Sequence, residues 1–348
     1  MNVSSALSRS RSSKLRATSG DHSPHKRIVV IGGGTGTFTV LSGLREHDTL
    51  ELSAITTMAD DGGSTGRLRD EYGVLPPGDL RQCLVALSDA PQVLRELFSY
   101  RYDRGDLKGH SFGNIFLSTL EHMTGDLDRA LDIAAEVLAI RGAVIPVTLK
   151  KVRLIAELGN GKVLEGEQAL TNYQLVSRYG LTRIRLAPHA KANPKALAAI
   201  ATADLIVVGP GNFYSSIVPN FLVSGVSEAL RRSKAKKVFV TNLMNKDGQT
   251  DDFTAAKYVE TLEAIADVGR IFDLVLCNTK RPAAALVRRY AEEGQPVACG
   301  GGTVTGRPII GKDLLASGVY RPRAGDTLKR TLIRHDPAKL AAALISLL

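Results

Sequence analysis

The residues of this chain that could do chemistry sit in short glycine-rich segments. The densest is Ala59-Asp60-Asp61-Gly62-Gly63-Ser64-Thr65-Gly66-Arg67-Leu68-Arg69. Its adjacent acids could hold Mg²⁺ or accept hydrogen bonds from hydroxyls, while the backbone amides, Ser64 and Arg67 suit phosphate oxygens. A plain polar turn with an Asp cap would not need so many glycines beside paired charges. A second segment, Val29-Val30-Ile31-Gly32-Gly33-Gly34-Thr35-Gly36-Thr37, runs an apolar strand into a tight turn and then a helix. The free N–H groups at such a helix start can receive a phosphate. The dinucleotide fingerprint G-x-G-x-x-G is only partly met, because Thr37 takes the third glycine's place. By itself this segment could also be a strand-to-helix turn with no ligand.

Three further segments belong with these. Leu205 to Val208 leads into Gly209-Pro210-Gly211-Asn212, a second glycine turn at a strand end, with Ser215 and Ser216 just beyond. A doubly wound sheet would place that turn across a crevice from the first. Pro76-Pro77-Gly78-Asp79-Leu80-Arg81 stiffens a turn, with Asp79 placed to cap a helix from Leu80 or to aim into the same cleft. In Gly109-His110-Ser111-Phe112-Gly113-Asn114, Asn114 could read a base or ribose or satisfy backbone groups. His110, with no second His at ligand spacing, reads as structural. Gly301 to Arg307 has a P-loop's outer glycines but lacks its Lys-Ser/Thr ending. No nucleophile elbow or H-E-x-x-H pair is present.

The elements that must position these turns alternate. Buried-strand runs are expected at Ile28–Ile31, Leu52–Thr56, Leu205–Val208, Val238–Thr241 and Leu274–Cys277, with helical spacing between them. The pattern predicts an α/β fold, a Rossmann-like doubly wound and mostly parallel sheet. Arg153–Leu158, Gly159-Asn160-Gly161 and Lys162–Gly166 interrupt it and read as a small β-hairpin insertion.

The 348 residues carry a net charge of +10, are 44% hydrophobic and 23% charged, and have a mean hydropathy of −0.01. Disordered, collagenous and fibrous classes are excluded. No apolar run is long enough for a membrane span. Cys83, Cys277 and Cys299 lie far apart, which argues against a disulfide framework or a zinc site. Residues 1–26 are Ser- and Arg-rich with a single acid, Asp21, and read as a disordered basic tail ahead of one nucleotide-binding domain over 27–348. The tail's composition is also that of an organellar transit peptide. About half of the positive surplus lies in residues 1–27, which hold six basic residues and one acid. No basic stripe with stacking aromatics stands out in the rest, so a small phosphorylated ligand is expected and nucleic acid is not.

Taken in order, Gly-Gly-Gly-Thr-Gly, Asp-Asp-Gly-Gly-Ser-Thr-Gly-Arg-Leu-Arg, Pro-Pro-Gly-Asp-Leu-Arg, Gly-His-Ser-x-Gly-Asn and Gly-Pro-Gly resemble the YvcK/CofD-like family. Leu332-Ile333-Arg334-His335-Asp336 before a final helix resembles its YvcK branch, the gluconeogenesis factors. The resemblance spans roughly 27–348. It implies a cytoplasmic bacterial protein that binds a nucleotide sugar such as UDP-N-acetylglucosamine, needs no cofactor, and links carbon supply to cell-wall precursors and cell shape. A cell-wall or carbon-metabolism protein would be its partner, and a homo-oligomer is left open. The ligand residues it implies are Gly33, Gly34, Thr35, Gly36, Asn114, Gly209, Pro210, Gly211 and Asn212, with Tyr290 and Arg334. The residues themselves add Asp60, Asp61, Gly62, Gly63, Ser64, Arg67 and Asp79 as ligand or phosphate contacts. The other branch, 2-phospho-L-lactate transferase, implies a Mg²⁺-dependent transferase, with Asp60 and Asp61 at the metal. Asn212 stands where the branch commonly has Ser, and the tail is not a family feature. An NAD-dependent oxidoreductase is disfavoured by the missing third glycine.

Overall fold

Strands buried on both faces form where β-branched and aliphatic residues run together without alternation, and a parallel sheet covered by helices then shields them. The computed structural model describes residues 25–170, 173–267, 269–290, 294–318 and 332–348. The tail expected over 1–26 lies outside these, apart from His25 and Lys26. Eleven strands are described: β1 (Lys26–Gly32), β2 (Leu50–Thr56), β3 (Ala143–Pro146), β4 (Arg153–Leu158), β5 (Val163–Glu165), β6 (Leu181–Ala187), β7 (Leu205–Val208), β8 (Lys236–Val240), β9 (Leu274–Asn278), β10 (Thr303–Val304) and β11 (Arg307–Lys312).

Eight of them form one sheet in the order β10-β11-β9-β8-β7-β1-β2-β3, parallel except at the β10–β11 pair. β1 lies between β2 and β7, with Ile31 opposite Ile55 on one side and Val208 on the other. All four residues of β7 are buried, so both faces of the sheet are covered there. The order β3-β2-β1-β7-β8-β9 is that of a dinucleotide-binding sheet, and it reverses direction between β1 and β7. The doubly wound, mostly parallel architecture expected from the alternating pattern is therefore the one observed.

The helices that carry the motif residues are α1 (Gly34–Leu44), α2 (Gly63–Tyr72), α3 (Gly78–Leu87), α4 (Gln92–Ser99) and α5 (Phe112–Thr124). The C-terminal helix Pro337–Ile345 packs on α1 so closely that a Cβ on Gly43 would overlap the Pro337 carbonyl. β4 and β5 form the expected hairpin, but β6 pairs on the other side of β4. The insertion is thus a separate three-stranded antiparallel sheet.

One sequence expectation is corrected. Cys277, in β9, and Cys299 are joined as a disulfide, while Cys83 is a buried free thiol. Their 22-residue separation hides the pairing in the sequence; the return of the chain to the end of β9 brings the two Cα atoms to 5.7 Å.

Candidate functional site

The site is built at the carboxyl ends of β1, β2, β7 and β8, around the point where the strand order reverses. Open α/β sheets bind ligands in such a crevice because neighbouring loops turn away from each other there. β1 runs through Gly32 into α1 with Gly33 extended and Gly34 at φ +64°, a left-handed turn that suits glycine. A Cβ on Gly36 would overlap the Pro210 carbonyl, so the turns after β1 and β7 meet backbone to backbone. Thr37, in place of the third fingerprint glycine, donates to the Gly33 carbonyl at 3.3 Å.

The turn after β7 is held from its far side. Asn242, just past β8, accepts from the Gly211 N–H at 3.0 Å and donates to the Gly211 carbonyl at 2.9 Å. Asn212 starts the short π-helical turn Phe213–Ile217. Buried side-chain oxygens of Thr56, Asn212 and Thr241 have no protein partner among the described residues. All three lie at the ends of β2, β7 and β8, on this same edge. Uncommitted acceptors and hydroxyls gathered at one edge are what a polar ligand would use.

Asp79 is not a helix cap, as its position before Leu80 had suggested. It lies in the first turn of α3, and its carboxylate accepts from the Gly34 N–H at 2.8 Å, tying α3 to the first glycine turn. It is 7% exposed. Burial pushes its carboxyl up to about 7, and the nearby Asp60 charge adds to the shift. Asp60 is raised too, by burial first, against the pull of its hydrogen bond from the Gly62 N–H at 2.8 Å. Glu167, just beyond β5, completes the cluster: burial pushes it up to about 8, with Asp60 next in effect. Lys246, in the loop after β8, is lowered by burial and raised by the charge of Glu167.

The paired acids diverge. Asp60 faces Gly62 and Gly78, whereas Asp61 accepts from the Glu167 N–H at 2.9 Å. Among the described residues no group of three or more His, Cys, Asp or Glu stands in an arrangement that could hold a metal ion.

Gly62 caps α2 with extended backbone, Gly63 opens the helix, and Ser64 follows, buried. Asn114 is 2% exposed. Its amide donates to Ser64 Oγ at 3.3 Å and Thr65 Oγ1 at 3.4 Å, and its oxygen accepts from Arg81 Nε at 2.9 Å. Ser64 Oγ is also 3.1 Å from His110 Nδ1. Arg67 is exposed and donates to the Lys108 carbonyl at 2.8 Å. Tyr290 belongs to a small separate apolar cluster with Leu243 and Ile333, and its hydroxyl accepts from the Leu332 N–H. Arg334 is half-buried and lies three residues ahead of the C-terminal helix in the chain.

Glu167, Asn242 and Lys246 escape sequence reasoning. Asn242 had a signal, as a polar residue directly after a strand at the same sheet edge. Glu167 and Lys246 had none, since only the folded insertion and the loop after β8 bring them together.

A Rossmann-like sheet whose two glycine turns meet at the switch point defines the doubly wound α/β class. The chain belongs to the CofD family: the model described as 2-phospho-L-lactate transferase CofD matches residues 28–309. A Nostoc sp. relative is 43% identical over 92% of this chain and 68% of its own length. The Bacillus subtilis gluconeogenesis factor is 38% identical over 92% of this chain and 98% of its own. The crystal structure of a UPF0052-family protein from Bacillus halodurans is 34% identical, with a TM-score of 0.81 over 92% of this chain and 98% of that one. No helix among the described residues is long and apolar enough to cross a membrane.

Proposed function

We infer that this chain binds a UDP-sugar of the UDP-N-acetylglucosamine class in the crevice between β1 and β7 and acts as a regulatory sensor, not a catalyst. The observation that carries this reading is the backbone contact between the turns after β1 and β7, which lines the crevice with peptide groups. Apart from the Gly34 N–H, which Asp79 takes, the backbone N–H groups at the start of an eleven-residue helix favour a diphosphate. The polar atoms of Asn212 and Thr241 lie within reach of the same edge. The sensor would report sugar-nucleotide supply to a cell-wall or carbon-metabolism protein in the cytoplasm, with consequences for cell shape. Kinship with gluconeogenesis factors supports that role.

Calorimetric titration of UDP-N-acetylglucosamine, GTP and NAD against the protein tests the reading. Binding of the UDP-sugar alone is expected, and its failure to bind would sink the proposal. Arg334→Ala should weaken that binding by about 1–3 kcal/mol if its guanidinium reaches a phosphate. Unchanged affinity would remove Arg334 from the site.

A transferase reading is favoured by one observation, the acids Asp79 and Glu167 raised to about 7 and about 8 in the cleft. Carboxyls that titrate near neutrality suit proton transfer. Turnover of a nucleotide-activated phospholactate would establish it.

A further inference from the structure

We propose that the Cys277–Cys299 pair is a thiol–disulfide switch that sets the order of the loop 241–250 and, through it, the affinity of the crevice for its ligand. The ligand half of this statement rests on the function proposed above; the loop half does not. Cys277 is 1% exposed and sits in the rigid strand β9. Cys299 is half-buried, in the segment that returns to the sheet edge. That segment holds the loop after β8 by its backbone: Asn245 N–H donates to the Gln295 carbonyl at 2.7 Å, and Val297 N–H donates to the Leu243 carbonyl at 3.0 Å. The same loop supplies Asn242, which clamps Gly211 on both sides, and Lys246, which faces Glu167. A covalent tie two residues beyond Val297 therefore braces the brace.

The chemistry balances with an organic disulfide as the oxidant and a dithiol as the reductant. Two thiols lose two electrons and two protons to an organic disulfide, which leaves as two thiols, and a dithiol reverses the step. Cys299, the more exposed partner, is where an incoming thiolate would attack, releasing Cys277. The oxidised form holds the loop in its binding geometry, so less order must be gained when the ligand arrives.

The test uses the full chain, treated with oxidised glutathione or with dithiothreitol. Alkylation under denaturing conditions should label one thiol, Cys83, in the oxidised protein and all three cysteines in the reduced one. Amide hydrogen exchange over 241–250 should be slower in the oxidised form. UDP-N-acetylglucosamine should bind it about 5-fold or more tightly than the reduced form. Cys299→Ser should match the reduced protein and ignore dithiothreitol. Three labelled thiols after oxidation, or equal exchange over 241–250 in both states, would overturn the switch. Slower exchange in the oxidised form with no UDP-sugar bound by either form would uphold the switch and reject the proposed ligand.

Discussion

Arg81, Asn114, Ser64, Thr65 and His110 reach one another from α2, α3 and the start of α5, and each is buried. In the sequence they belong to three separate motifs. Packed, their side chains satisfy one another, and Asn114 spends both ends of its amide on the scaffold. The network holds the Asp60–Arg67 turn against the turn that carries Asp79. Asn114→Ala should therefore lower stability by roughly 2–4 kcal/mol, since Arg81 loses an acceptor in a buried setting. Urea denaturation measures this, and a loss near zero would show that the network is loosely coupled. Asp79 makes the same point in reverse: its place before Leu80 suggested a cap, yet its partner is Gly34, some 45 residues away in sequence.

At the scale of elements, local pattern located strands better than partners. Leu205–Val208 is observed with the bounds expected, and β1 and β2 are longer than expected, mainly at their N-terminal ends. β3, β6, β10 and β11 have no counterpart among the expected strand runs; β3 and β6 show why. Ala143–Pro146 is short and ends in Pro, and Leu181–Ala187 alternates with exposed Arg and Thr, so neither stands out as an apolar run. In the sequence the glycine turns read as ligand loops, but the need for Gly36 comes from another element. Gly36→Ala would press a Cβ into the Pro210 carbonyl and part the two turns. Such overpacking against backbone should cost roughly 1–3 kcal/mol and weaken UDP-sugar binding as well. Thermal denaturation and titration of one variant report both; a neutral result would mean the turns can separate freely.

For the whole molecule, the buried ionisable groups give stability a direction with pH. Asp79 and Glu167 rise from 3.8 and 4.5 to about 7 and about 8 on folding. The folded state then binds more protons than the unfolded one across that range, so their contribution is lost as pH rises through about 7 and 8. His335 acts in the opposite sense: burial pushes it from 6.5 down to about 4, so its effect falls below pH 6.5. Between pH 6.5 and 8 the acids dominate, and the melting temperature should fall as pH rises. Asp79→Asn, which keeps an acceptor for Gly34, should flatten that slope. A melting temperature that rises with pH over this interval would contradict the assigned environments.

The α/β alternation, the glycine turns at strand ends and the hairpin are legible in the residues alone. These depend on apolar runs, period and turn residues, all properties of neighbours along the chain. The sequence also holds the motif order that the family relationship bears out. Only packing brings the turns after β1 and β7 into contact, gathers Asp60, Asp79 and Glu167 in one environment, and sets Cys277 against Cys299. Those facts depend on strand order and on which loops return to the same edge. Contacts between residues far apart in sequence leave no periodic trace in it, because long-range packing and not local propensity creates them.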